Sequence, residues 1–149
     1  MLVSTDEAIL NFIRVLATIN SLFRQVHVDL EKTGKFCRIT SHISPLMAEQ
    51  KSLDEGTSLA FFFDCEIKQV RHREKQSIGV SLILRRKNQN WLAEGEIGWS
   101  GVEIGWDNFY DCELLSSSLD EFLRDLPQFT DQLLDTFRNE LSRNASFIV

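Results

Sequence analysis

The chain has little of the residues that break or bridge regular structure. Of its 149 residues only two are Pro and seven are Gly, which leaves little room for linkers, so we expect a single ordered domain over 1–149. Its three Cys (Cys37, Cys65 and Cys112) are odd in number and widely spaced. This spacing excludes a disulfide framework and a zinc knuckle, and it favours reduced thiols in a cytoplasmic protein.

Long apolar runs and common catalytic motifs are also missing. No stretch approaches the roughly 20 apolar residues that cross a bilayer, and residues 1–7 have neither the basic start nor the apolar core of a signal peptide. No phosphate-binding loop, dinucleotide fingerprint, zinc-hydrolase, nucleophile-elbow or EF-hand pattern occurs. We therefore expect no membrane segment, no classical export, no cofactor and no metal, and we name no catalytic residue.

Positive charge is scarce in the second part of the chain. Residues 91–140 contain 2 Lys or Arg against 12 Asp or Glu, whereas residues 1–90 contain 13 against 10, and the net charge is -6. Nucleic-acid binding needs a clustered basic excess, so DNA and RNA are not expected partners. A one-sided negative field instead favours a partner with a basic surface.

The first 34 residues predict a long helix. Ser4 and Glu7 form a capping box, and Gly34 provides a helix stop. Between them an apolar seam recurs at alternating spacings of three and four: Ile9, Phe12, Leu16, Ile19, Phe23, Val26 and Leu30. This seam is wide enough to cover a sheet, and it also makes a homodimer possible.

A second helix is predicted at the carboxyl end of the chain. Ser118 and Glu121 form another capping box, and apolar residues follow at helical spacing to about Ser142. Pro127 lacks a backbone donor and clashes with the preceding turn. We therefore predict a short helix, a break at Leu126 and Pro127, and a longer helix after it.

Between the helices, alternation of apolar and polar residues predicts strands over 35–44, 57–70 and 77–85 and along both arms of 91–115. Pro45 is expected to close the first strand, before a short helical turn and loop over 46–56. The second hairpin is predicted to place Ile78, Val80 and Leu82 opposite Ile67, Cys65 and Phe63. The third is predicted to pair Leu84 with Ala93 and Leu82 with Gly95.

The central hairpin, Trp91 to Leu115, contains all three Trp and the single Tyr. A two-residue turn at Ser100-Gly101 predicts the pairs Trp99–Val102, Ile97–Ile104, Gly95–Trp106, Ala93–Asn108 and Trp91–Tyr110. Gly95 would then leave room for the Trp106 ring. The three hairpins agree on which face is apolar, and this agreement predicts an α+β fold, an antiparallel meander of four to five strands with the long N-terminal helix and the Pro-broken C-terminal helix packed on one face.

The opposite face of this hairpin concentrates negative charge. It is predicted to present six carboxylates without a basic residue, with Glu94 facing Asp107 and Glu96 diagonal to Glu103. A solvated outer face explains polar residues there but not the lack of interleaved Lys and Arg, because like charges repel across strands. The candidate partner-binding residues are Glu94, Glu96, Glu103, Asp107, Phe109 and Asp111.

These features favour a non-enzymatic binding protein that holds a basic partner protein on its anionic sheet face. In broad outline the chain resembles small acidic α+β inhibitors such as toxin-neutralising immunity proteins, and secretion chaperones. One alternative is a divalent-metal or acid/base hydrolase that uses the same carboxylates. Another is a small-ligand binder with a pocket between the helices and the Trp-rich face.

Overall fold

The computed structural model describes residues 5–34, 36–47, 57–67, 77–101 and 105–143. Two helices flank five strands in chain order. They are α1 (Thr5–Glu31), β1 (Phe36–Met47), β2 (Thr57–Ile67), β3 (Ser77–Lys87), β4 (Asn90–Gly101), β5 (Gly105–Ser116) and α2 (Leu119–Arg143).

The five strands form one antiparallel sheet in the order β1-β2-β3-β4-β5. Helix α1 packs on β1 and β2, helix α2 packs on β3, β4 and β5, and the two helices contact each other. Both helices share one hydrophobic core with the same sheet face. The predicted fold class, an α+β antiparallel meander with two covering helices, is confirmed.

Aromatic side chains join the helices to the sheet. Phe23 of α1 stacks on Phe61 of β2 with a centroid distance of 5.8 Å, and Phe137 of α2 meets Phe63 edge to face at 5.6 Å. Trp99 is buried, and its indole Nε1 donates to Glu140 Oε1 at 3.4 Å. The core therefore ties each helix to different strands through large buried rings.

Helix α2 runs through Pro127 without the predicted break. Leu126 and Thr130 on either side are fully buried, and Thr130 Oγ1 donates to the Leu126 carbonyl oxygen at 2.9 Å. A Pro in a helix interior costs about 3 kcal/mol. Here the apolar stripe packs on the sheet on both sides of the Pro, so burial outweighs that local cost. The cap predicted for this helix is present, because Glu121 N donates to Ser118 Oγ at 3.3 Å.

The end of α1 also matches its prediction. Gly34 adopts a left-handed conformation with φ of 67°, as a helix stop requires. The predicted capping residue Ser4 lies outside the described residues. The first half of the helix leaves Ile9, Leu10 and Ile13 more than half exposed, and a homodimer formed through this seam stays a prediction.

The first hairpins differ from the predictions in detail. Strand β1 continues through Pro45 to Met47, so the predicted closure at Pro45 and the turn beginning at residue 46 are wrong. In the described sheet β1 is an edge strand, where a missing backbone donor is tolerated. Residues 48–56 lie outside the described part.

Strands β2 and β3 pair two residues away from the predicted register, with Ile78 opposite Cys65. This shift preserves the buried face.

The pairing between β3 and β4 is confirmed, with Leu84 opposite Ala93 and Leu82 opposite Gly95. The tight turn between these strands contains Asn88 and Gln89, both with positive φ. Asn is one of the residues that adopts this conformation most readily. This hairpin fixes the register at the centre of the sheet.

The predicted register of the central hairpin is wrong. Strand β4 continues to Gly101 and β5 begins at Gly105, so the turn is not at Ser100-Gly101. Gly95 lies opposite Cys112, and a bulge between Ile97 and Gly98 changes the alignment beyond it. The actual partners are Trp91–Ser116, Ala93–Leu114, Ile97–Tyr110, Gly98–Asn108, Trp99–Asp107 and Ser100–Trp106.

This bulge moves Trp106 to the other face of the sheet. Trp106 pairs with Ser100, whereas Trp99 is a core residue, and alternate residues of a strand point to opposite faces. Gly95 therefore does not lie against Trp106. It lies under helix α2, where a Cβ atom at Gly95 would be 2.9 Å from Leu133 Cδ2.

Candidate binding face

We call the side of the sheet opposite the helices the outer face. The registers align its residues in rows that cross β2, β3, β4 and β5. Three of these rows are Ala60-Ile83-Glu94-Glu113, Phe62-Ser81-Glu96-Asp111 and Asp64-Gly79-Gly98-Asn108. The outer face thus combines apolar residues on β2 and β3 with carboxylates on β2, β4 and β5.

Trp106 extends from β5 across this face. A Cβ atom at Gly98 would be 2.5 Å from Trp106 Cζ2, and one at Gly79 would be 3.4 Å from Cη2. The ring therefore lies against the backbone of β4 at Gly98, where only glycine leaves enough room, and its far edge lies near Gly79 of β3. Its Nε1 donates to Glu96 Oε1 at 2.8 Å, and 48% of the side chain remains exposed.

A pocket of about 610 Å³ lies beside the indole ring of Trp106. Its walls include Phe62 and Asp64 of β2, Ile83 of β3 and Glu96 of β4. We call it the Trp106 pocket. A second, smaller pocket of about 250 Å³ lies next to it and is lined by Ser81, Ile83, Glu94, Gly95, Glu96, Asp111, Cys112 and Glu113. The two share Ser81, Ile83 and Glu96, so together they form a continuous depression.

Like charges face each other across β4 and β5. Glu96 lies opposite Asp111, and Glu94 lies opposite Glu113. Such directly opposed pairs destabilise a sheet. Glu94 is partly compensated because Arg85 Nε of the neighbouring strand donates to its Oε1 at 2.6 Å. As predicted, the β4–β5 hairpin has no Lys or Arg on this face. The cation that pairs with Glu94 comes from β3 and is Arg85.

The structure separates some of the predicted site residues. Glu94, Glu96 and Asp111 lie together on the outer face, as predicted. Asp107 pairs with Trp99, so the predicted contact between Glu94 and Asp107 is wrong. Phe109 lies in the bulge and is exposed. Glu103 lies outside the described residues, and the assignment of partner binding to the whole set stays a prediction.

Asp64 belongs to this face but was not among the predicted site residues. The row that contains it joins residues some 40 positions apart in the chain, and only the strand registers bring them together. Although the side chain is exposed overall, desolvation of the carboxyl by the surrounding sheet raises its pKa, and the nearby charge of Glu66 adds to the effect. The Asp64 carboxylate therefore lies in a less polar environment than a fully solvated carboxylate does.

Cys65 and Cys112 are placed as packing residues rather than as catalytic nucleophiles. Cys65 is fully buried in the core, and burial raises the pKa of its thiol far above the usual range. Cys112 is half-buried, and burial raises its pKa as well, although hydrogen bonds from Tyr110 and Gly95 oppose the shift. A thiol with a raised pKa stays protonated near neutral pH. Both thiols therefore act as small packing residues at these positions.

Metal-ligand clusters and membrane-spanning helices are both absent from the described residues. No group of three or more His, Cys, Asp or Glu is close enough together to hold a metal ion. Neither of the two described helices is both long and apolar enough to cross a membrane.

Comparison of the whole chain with protein-family models, curated proteins and solved structures gives no match. The fold and the outer face define the chain as a two-helix, five-stranded α+β module with an acidic, partly apolar depression. That depression is the feature of the molecule that bears on function.

Proposed function

We propose that this protein is a non-enzymatic binding module that holds a basic partner protein on its outer face. The observation that carries the proposal is the depression itself. Carboxylates from β2, β4 and β5 surround it, while Phe62, Ile83 and Trp106 supply apolar surface inside it. Charged rims around apolar centres are typical of protein interfaces.

The charge arrangement supports a basic partner over a bare solvated surface. Glu96 and Asp111 repel each other in the free protein. A partner that brings Lys or Arg to this face would relieve the repulsion and would be steered toward it by the field. Acidic residues placed only for solubility could be spread over the surface. The proposed module is inhibitor-like or chaperone-like because it acts by holding a partner protein.

A hydrolase that uses the same carboxylates has less support. The predicted Glu94–Asp107 pair, which would have supplied the acid and the base of such a site, is not formed. Metal-assisted hydrolysis needs several ligands in one place, and among the residues that the structure describes no such group occurs. The small-ligand alternative placed its pocket under the helices, whereas both pockets described above lie on the outer face.

The proposal can be tested with a double variant, Glu96→Gln/Asp111→Asn. We would recover the partner by crosslinking in the native host and measure its association rate at low and high salt. Steering by charge predicts that the variant associates about tenfold more slowly at low salt and that the difference shrinks at high salt. The control is Asp120→Asn/Asp131→Asn on α2, which removes the same charge from exposed positions.

The outcomes separate the two main hypotheses. If the outer-face variant and its control associate at the same rate at low salt, the outer face is not the binding surface. A hydrolase would show a different pattern, because the outer-face variant would retain its partner and lose turnover. Both measurements use the full chain.

A further inference from the structure

The Trp106 pocket has a more specific construction than an acidic surface. Gly98 leaves room for the indole ring on β4, the far edge of the ring lies near Gly79 of β3, and Glu96 accepts the indole N–H. The ring is thereby held against the sheet, with about half of its side chain exposed beside a depression. An aromatic surface held in one orientation binds a planar group at low entropic cost.

Negative charge flanks this aromatic surface from two strands. Asp64 approaches from β2 and Glu96 from β4, and both line the pocket. Glu96 Oε1 is occupied by the indole N–H, and a carboxylate has further lone pairs that can accept other donors. None of the described residues that line the pocket is Lys or Arg. An apolar occupant would desolvate these carboxylates without compensation, which is unfavourable.

We propose that the Trp106 pocket anchors an arginine side chain of the basic partner, with the guanidinium against the indole ring and hydrogen-bonded to Asp64 and Glu96. This proposal rests on the proposed function and identifies the group that the outer face selects. A guanidinium is planar, stacks on aromatic rings and presents five donors in a fixed arrangement. A lysine ammonium has neither the planar surface nor the forked donors, so the pocket discriminates between the two cations.

The test uses three synthetic peptides of the same length, each with lysines flanking a central arginine, lysine or citrulline. Citrulline keeps the planar shape of arginine and lacks its charge. Binding would be followed by titration, with the Trp106 indole N–H resonance as a local probe. A desolvated cation–π contact with hydrogen bonds predicts about tenfold tighter binding of the arginine peptide than of either of the others.

Variants locate the preference within the pocket. Asp64→Asn and Trp106→Leu should each reduce the arginine preference to about twofold or less, whereas Trp106→Phe should retain part of it because the ring remains. The control Asp131→Asn should leave the preference unchanged. A cooperative melting transition in each variant would show that it folds. If Trp106→Leu does not fold, Asp64→Asn still tests the proposal.

The pattern of binding distinguishes this proposal from the proposed function. If all three peptides bind equally and binding weakens with salt, the outer face binds basic chains but the arginine anchor is overturned. The same conclusion follows if Asp64→Asn retains the full preference. If none of the peptides binds, both proposals are overturned. Preference for arginine that disappears in Asp64→Asn supports both.

Discussion

At the scale of single residues, glycines determine which large side chains can approach the sheet. Gly98 leaves room for Trp106 on the outer face, whereas Gly95 leaves room for Leu133 of helix α2 on the core face. The two glycines are three positions apart on one strand and serve opposite surfaces. A side chain at either position would affect a different part of the molecule.

Replacement of Gly95 by Val tests the packing of α2 on β4. A Cβ atom there would be 2.7 Å from Cys112 Sγ and 2.9 Å from Leu133 Cδ2. Overpacking of this kind costs about 1 to 3 kcal/mol in the free energy of unfolding, which urea denaturation would measure. Adding Leu133→Ala should make the combined loss smaller than the sum of the single losses, because the space is shared. Strict additivity would contradict the observed contact.

Asp64 makes the stability of the protein depend on pH. Its pKa is raised above the usual 3.8 in the folded protein, so above that value the folded state binds more protons than the unfolded state does. The contribution of Asp64 to stability therefore falls as pH rises from 3.8 through the folded-state pKa. We expect Asp64→Asn to be more stable than the wild type at pH 7.

The measurement is urea denaturation of the wild type and Asp64→Asn at intervals between pH 3 and pH 7. The stability advantage of the variant should shrink as the pH falls toward 3.8. The exposed Asp131→Asn replacement serves as a control, and we expect it to change stability by less than about 0.5 kcal/mol. Two parallel curves, or a variant less stable at pH 7, would show that desolvation does not govern this carboxyl.

At the scale of elements, α1 contributes to stability unevenly along its length. Phe23 is 3% exposed and stacks on Phe61, whereas Ile13 on the same helix is 55% exposed. Truncation of a buried Phe costs about 3 to 5 kcal/mol. We therefore expect Phe23→Ala to lower the free energy of unfolding by that amount.

The matched control is Ile13→Ala, which truncates an apolar residue of the same helix. We expect a loss below about 0.5 kcal/mol, measured by urea denaturation with circular dichroism. A similar loss in both variants would mean that the first half of α1 is covered in solution, for example by a second copy of the chain. A small loss in Phe23→Ala would contradict the packing of α1 on β2.

The elements were predictable because each strand carries its own period-2 signal. The alternation along β3 and β4 was sufficient to predict the pairs Leu84–Ala93 and Leu82–Gly95, which the structure contains. The β2–β3 register came out two residues off, because an even shift keeps the same residues buried and the pattern cannot detect it.

The central hairpin was less predictable because its register depends on backbone geometry. The bulge at Ile97 and Gly98 inserts one residue on β5, and a single inserted residue inverts the faces beyond it. Trp106 therefore moved from the predicted core to the outer face. Asp64 escaped prediction for a related reason, since its neighbours across the sheet are distant in sequence. Local alternation does not contain this information.

At the scale of the whole molecule, the two faces of the sheet have different roles. The face under the helices carries the large buried rings and accounts for the fold. The outer face carries carboxylates and the exposed indole ring of Trp106 and accounts for the proposed binding. Because β4 and β5 separate the two surfaces, replacements of outer-face carboxylates are expected to leave the core intact.

The net charge of -6 and the opposed carboxylates of the outer face predict that salt stabilises the free protein. Glu96 opposes Asp111, and Glu94 opposes Glu113, and like charges directly opposite each other destabilise a sheet. Asp111→Asn/Glu113→Gln should therefore melt at a higher temperature than the wild type in about 10 mM salt. The difference should shrink in about 300 mM salt, because screening shortens the reach of charge.

The control for this experiment is again Asp120→Asn/Asp131→Asn on α2, which reduces the net charge equally without changing any pair across β4 and β5. If the control gains as much stability at low salt as the outer-face variant, the effect comes from net charge alone. If the gain of the outer-face variant persists at high salt, it does not come from repulsion. A gain confined to the outer-face variant and to low salt would establish that this face is strained by its own charge, which is the condition under which a cationic partner binds it most favourably.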